Sequence, residues 1–244
     1  GVVAKSAGTG TEDALRLTRV NRVSPQAPGV SVSRRRHRTE PGFVANNGAM
    51  NSNSPRRDVP LPQAYRLLNH GPTVLVSARH AGRDNVMAAA WAMPLDFDPP
   101  KVTVVIDKNT FTRRLIEASG TFALSVPCRA LADATYAAGS LSGADHADKL
   151  AACNLTGFAA QRIDAPLVEG CVAWLECRVI VEPHHQQAYD LFVAEVLAAQ
   201  ADERVFANGR WRADAPAELR TLHHQAGGAF FGAGETVQAT KPRA

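Results

Sequence analysis

The sequence predicts a mainly β fold: a mostly antiparallel barrel, closed or half closed, decorated by short helices. Three observations carry this. Strand-like runs follow one another with only short helical stretches between them, so the sustained strand–helix–strand alternation of a parallel sheet is missing. Cys171 to Val181 alternates strictly: the odd positions are apolar, while Glu176 and Arg178 fall on the other face. Asn208-Gly209, between Arg204-Val205-Phe206 and Arg210-Trp211, is a strong hairpin turn.

The elements follow in order. Pro60 to Asn69 reads as a short helix, opened by prolines and closed by Gly71. Thr73 to Ser77 is a strand, Ala81 to Asp84 a turn, Asn85 to Met93 a second strand, and Pro94 to Pro100 a loop. Lys101 to Asp107 is a third strand, rich in β-branched residues. Asn109 or Thr110 caps a helix that runs to about Ala118 and stops at Gly120. Phe122, Leu124 and Val126 alternate in the next strand. Arg129 to Ala138 and Ala144 to Ala152 read as helices around a Gly139–Gly143 loop. His184-His185 reads as a solvated loop, and Tyr189 to Ala199 as a long strand matching 171–181.

Charge divides the chain. Residues 1–57 carry ten Lys/Arg against three Asp/Glu, with a dense cluster at Arg34-Arg35-Arg36-His37-Arg38. This Gly-, Ser-, Pro- and Asn-rich stretch holds too little apolar surface to offset its chain entropy. It is expected to be a solvated leader or an appended segment; the other reading is an arm for nucleic acid or an anionic surface. Met50 marks an expected start for the folded part. Residues 58–244 form the second region and carry 17 Lys/Arg against 20 Asp/Glu, which gives no field to attract nucleic acid. The longest apolar run, Val86 to Leu95, is about half a membrane span. No apolar signal-peptide core is read in the first 30 residues, and a cytoplasmic location is expected.

Most common catalytic signatures are missing: GxSxG, HExxH, the P-loop and a GxGxxG after a strand. Neither His184-His185 nor His223-His224 gives two ligands to one metal, because adjacent residues of a strand face opposite ways. Cys171 and Cys177 stand about 20 Å apart at ~3.3 Å per residue and cannot pair. Two segments invite a ligand. Lys108-Asn109-Thr110-Phe111-Thr112 joins a strand to a helix N-terminus, where free N–H groups, two hydroxyls and an ammonium converge. It is either an anion site, most naturally for phosphate, or simple helix capping. Asn85 to Pro94 holds Ala88, Ala89 and Ala90 in a row. Either a flat molecule lies against its backbone, with Trp91, Met87 and Met93 as soft apolar contacts, or a neighbouring strand does.

Several segments in this order resemble the flavin reductase-like family, the flavoredoxin branch of the FMN-binding split barrels. They are Asn85 to Trp91, Asp98-Pro99-Pro100, Asp107 to Thr110, Ser119 to Pro127, Ser142-Gly143, Asp148-Lys149-Leu150, Ala165-Pro166-Leu167, Leu175 to Val179 and Leu191 to Val196. The resemblance spans roughly residues 60–232. It implies a Greek-key antiparallel split β-barrel, a homodimer, and FMN (less readily FAD) near the subunit interface. It implies NAD(P)H as co-substrate and a redox partner protein as one possible acceptor of electrons. Under it, Asn85 and Met87, Ala88, Ala89, Ala90 and Trp91 would line the flavin ring and ribityl chain. Asp107, Lys108, Asn109, Thr110 and Thr112 would hold the phosphate, with Lys149 near the phosphate or ribityl. No side chain is expected to be catalytic, since the flavin carries the chemistry; His224, before Gly227-Gly228, is a candidate near the flavin. The chain departs from the family at Ala88, where Thr is common, and at Tyr189 and Ala194, where His and Gly are common. A binding module that stores FMN or docks to a redox partner is the alternative function.

Overall fold

The computed structural model describes residues 54–240 and 242. The expectations for residues 1–53, the basic cluster included, lie outside the described residues. Strand β1 (Arg56–Asp58) is followed by a 3-10 helix (Leu61–Leu67), then by β2 (Val74–His80) and β3 (Arg83–Ala89). The two-residue turn between β2 and β3 has positive φ at both Ala81 and Gly82, as a type I′ turn requires. Next come β4 (Ala92–Phe97), β5 (Pro100–Val105), α1 (Phe111–Ser119) and β6 (Thr121–Val126). A 3-10 turn leads into α2 (Ala132–Ser140) and then α3 (Lys149–Ala152). A small hairpin, β7 (Gly157–Ala159) and β8 (Pro166–Val168), precedes β9 (Ala173–Ile180), α4 (Pro183–Tyr189) and β10 (Leu191–Asp202). Two hairpins complete the fold: β11 (Phe206–Ala207) with β12 (Arg210–Trp211), and β13 (Leu222–Ala226) with β14 (Ala229–Gly232).

The main sheet runs β3-β2-β6-β9-β10-β5-β4, with β1 also on β10, and the pairs are antiparallel. The expected mainly β, antiparallel architecture is therefore what the chain forms. Its two edges, β3 and β4, are consecutive in the sequence. The chain leaves one edge at Ala89, crosses Ala90-Trp91 and joins the other edge at Ala92. The sheet thus curls so that its edges meet end to end rather than side by side, as in a split barrel.

Side-chain alternation gives the sheet two covered faces. Ala173, Leu175 and Cys177 of β9, with Leu115 and Ile116 of α1, enter the barrel core. Trp174 faces a second core with Ala138 of α2 and Leu150 of α3. Helix α1 is capped at its start by Thr110, whose Oγ1 accepts from Arg113 N at 3.3 Å. It stops at Gly120, which takes the left-handed conformation (φ 71°) that a residue without Cβ adopts freely.

Four local expectations are corrected. Residues 85–93 do not form one strand: β3 stops at Ala89, and β4 runs through Pro94, where a loop was expected. Proline is tolerated there because β4 is an edge strand. Only Lys149–Ala152 of the 144–152 stretch is helical. His184 and His185 sit on the short helix α4, both exposed, rather than in a loop. Glu176, on the expected polar face of β9, is buried; its carboxylate accepts from Gln161 N at 2.9 Å and Arg162 N at 2.6 Å.

Candidate functional site

Strand β3 organises the site. It pairs with β2 alone in the sheet, so among the described residues its outer backbone edge has no ladder partner. From Asn85 to Ala89 it covers about 13 Å at ~3.3 Å per residue. Each end of that span meets a different feature.

At the far end a shallow groove, open to solvent, is lined by Ala88, Ala89 and Ala90, by Thr73 just before β2, by Thr135, Tyr136 and Gly139 of α2, and by His224 and Phe230 of the β13–β14 hairpin. Ala88 and Ala90 are half-buried there, and Ala89, the last residue of β3, is buried. His224 Nε2 lies 3.1 Å from Gly227 O, and its ring meets Phe230 edge to face at 5.5 Å. The hairpin is tied to the body through Thr73: Thr73 N donates to Leu222 O, and His224 N donates to Thr73 Oγ1 at 2.9 Å.

At the near end β3 meets the start of α1. Asn85 is buried, and its Nδ2 donates to Thr112 Oγ1 at 2.7 Å. Gly143 presses against the same amide so closely that a Cβ there would stand 2.1 Å from Asn85 Oδ1. Arg83 donates to Gly143 O at 2.6 Å, and its guanidinium lies 4.2 Å over the Phe111 ring. Lys108 and Asn109 are exposed just before the helix. Asp107 shapes the turn, with Oδ1 accepting from Asn109 N at 2.8 Å and its carbonyl accepting from Thr110 Oγ1 at 2.8 Å. Thr110 caps the helix, while the Thr112 hydroxyl accepts from the Asn85 side chain instead of capping. An outside anion is left the first N–H groups of α1, the helix dipole, and the charges of Lys108 and Arg83.

The structure brings Ala88, Ala89, Ala90 and His224 together at one groove. It places Asn85, Asp107, Lys108, Asn109, Thr110 and Thr112 together at the other end of the same strand. Met87 and Trp91 are not among the groove's lining residues. Met87 packs against the barrel core, and Trp91 is 62% exposed at the crossing between the sheet edges. Lys149 is buried, and its Nζ donates to Ala138 O at 2.8 Å near the C-terminal end of α2. Burial holds its ammonium below the usual lysine range. Arg83, Gly143, Thr135, Tyr136 and Phe230 were not anticipated. The run of small residues in α2 (Ala132, Ala134, Ala137, Ala138, Gly139) is the signal that this helix can lie close to a ligand.

The flavin reductase like domain family matches residues 66–225 of the chain. The chain belongs to this family. The uncharacterized protein YddH of Escherichia coli (strain K12) is 45% identical over 184 residues, which are 74% of this chain and 96% of YddH. Among solved structures, the FMN-binding domain of a flavin reductases-like enzyme from Shewanella baltica OS155 is 54% identical. That match covers 76% of this chain and 97% of the other, with a TM-score of 0.74. The flavoredoxin of Desulfovibrio vulgaris (Miyazaki F) is 27% identical, covering 69% of this chain and 90% of its own, with a TM-score of 0.61. Among the described residues no group of three or more His, Cys, Asp or Glu is placed to hold a metal ion.

Proposed function

We propose that this chain binds FMN along β3 and works as a flavin-dependent oxidoreductase, either an NAD(P)H:flavin reductase or a flavoredoxin-like electron carrier. The observation that carries the reading is the pairing, about 13 Å apart on one open strand edge, of a small-walled groove with an anion-competent helix N-terminus. The residues fit such a group. Among the described residues three buried polar side-chain atoms lack a partner, and one of them, Thr135 Oγ1, belongs to a groove-lining residue. The Shewanella relative is itself named an FMN-binding domain.

FMN, when bound, supplies the hydride and electron chemistry. The chain's own residues do the rest. Ala88, Ala89 and Ala90 let a planar ring approach main-chain donors and acceptors. Tyr136 and Phe230 border it with aromatic surface, and His224 presents an imidazole whose Nε2 sits beside Gly227 O. The N–H groups of Phe111 and Thr112 hold a phosphate by hydrogen bonds, with Lys108 and Arg83 adding charge. Asn85 and Gly143 fix the loop that carries the Arg83 contact. Lys149 supports the end of α2 through its hydrogen bond to Ala138 O.

A homodimer belongs to the same proposal. Trp91, Met93, Leu95 and Phe97 are 62%, 56%, 51% and 64% exposed and line up at alternate positions beside and along edge strand β4. A second copy of the chain would cover this row, which continues directly from the groove residue Ala90. No helix among the described residues is long and apolar enough to cross a membrane; a cytoplasmic location is part of the proposal.

The test is anaerobic mixing of FMN-loaded protein with NADH and with NADPH. Rapid bleaching of the flavin's visible absorbance is expected with at least one of them. A flavin-loaded protein inert to both would instead be a storage or docking module.

A further inference from the structure

Thr135 stands in the middle of α2 and is wholly buried, and its hydroxyl has no hydrogen-bond partner among the described residues. A helical Ser or Thr ordinarily returns its hydroxyl to the carbonyl four residues back. Ser140, five positions on, does so: its Oγ donates to Tyr136 O at 2.8 Å. Thr135 does not. A buried hydroxyl left unpaired is costly, and such groups call for a physical explanation. Thr135 is also one of the residues lining the groove beside Ala88, Ala89 and Ala90, where the other wall residues are mostly apolar or small. The stripe of alanines makes room for a flat molecule, and the unpaired hydroxyl supplies a hydrogen-bonding group that such a molecule would complete.

We infer that the Thr135 hydroxyl reads the polar edge of the planar heterocycle that occupies this groove, pairing with a ring nitrogen or ring carbonyl oxygen. The inference rests on the proposed use of the groove for the flavin ring. It adds a discriminating residue at the ring end, separate from the charged groups at the phosphate end. The hydroxyl is both donor and acceptor, so it accepts a ring N–H or donates to a carbonyl. An apolar ring of the same outline satisfies neither role.

The experiment compares wild type, Thr135→Val and Thr135→Ser in three measurements: thermal unfolding of the flavin-free protein, titration with FMN, and titration with riboflavin, which lacks the phosphate. Valine keeps the shape and removes the hydroxyl. The flavin-free Val variant is expected to melt at or above the wild-type temperature, because no internal bond is lost. Its dissociation constants for FMN and for riboflavin should both rise about fivefold to tenfold, the loss of one hydrogen bond. Serine should restore most of the affinity. A Val variant that binds both ligands as wild type does would overturn the inference while leaving FMN binding itself intact. A Val variant that melts lower or fails to fold would overturn it too, by revealing an internal partner for the hydroxyl. Weakened FMN binding with unchanged riboflavin binding would place the hydroxyl at the phosphate end and equally refute it. A wild type that binds neither ligand removes the groove reading and this inference together.

Discussion

At the scale of single residues, close approach and charge make separable predictions. Gly143 touches the Asn85 amide where a Cβ would stand 2.1 Å from Oδ1. Gly143→Ala should therefore destabilise the fold by about 1–3 kcal/mol, the usual cost of overpacking. Asn85→Ala added to it should recover part of that loss, since the two positions share one contact. Urea denaturation of both single variants and the double variant measures the coupling; strict additivity would count against the contact. Lys108→Glu should weaken FMN by more than about tenfold, or ~1.4 kcal/mol, yet leave riboflavin unaffected. Equal loss for both ligands would remove Lys108 from the phosphate end. The residue types at this end were legible in the sequence, since a helix N-terminus beside a lysine is a local pattern. Their division of labour was not. Whether the Thr112 hydroxyl faces outward or bonds to Asn85 depends on a residue 27 positions away. Lys149 is likewise engaged by Ala138 O, across a turn that no periodicity marks.

Among elements, the β13–β14 hairpin bears directly on the groove, because it carries His224 and Phe230. Its root is a pair of histidines. His70 Nε2 lies 2.9 Å from Thr221 Oγ1, His223 Nδ1 lies 3.0 Å from Gly71 O, and the two rings are 5.4 Å apart. Burial against Trp211, and then the neighbouring His223, push His70 down to about 4. Its pKa is lower folded than unfolded, so between about pH 6.5 and 4 the unfolded chain binds more protons and stability falls as the pH falls. His70 is an exposed residue, so solvent screens the effect and keeps it small. The melting temperature should decline through that window, and His70→Gln should flatten the decline; parallel profiles for the two proteins would show that His70 is not responsible. The sequence offers His224 as a candidate near the flavin, but nothing local marks the hairpin that carries it. Its strands are short and pair with each other alone in their sheet, so alternation gives little signal. Strand β4 was hidden by Pro94, which the sheet edge tolerates. By contrast β9, β10, α1 and the Asn208-Gly209 turn were legible, because each is decided by alternation, capping or turn chemistry within a few residues.

For the whole molecule, the antiparallel barrel class followed from the order of the strands, but the crossing between sheet edges at Ala90-Trp91 could not. It depends on β3 pairing with β2 on one side and β4 with β5 on the other. That crossing leads into the exposed row of Trp91, Met93, Leu95 and Phe97. Light scattering should find a mass near twice 26.0 kDa, and Leu95→Glu should halve it without unfolding the protomer. A wild type that runs as a monomer would leave the row without the second copy proposed for it. The central claim, that β3 holds FMN between its alanine groove and the start of α1, is tested most directly by a crystal structure of the chain with FMN. The expected result is ring density against Ala88–Ala90, with the phosphate in hydrogen-bond reach of the Phe111 and Thr112 N–H groups. Flavin bound elsewhere, with that groove and helix end untouched, would contradict it.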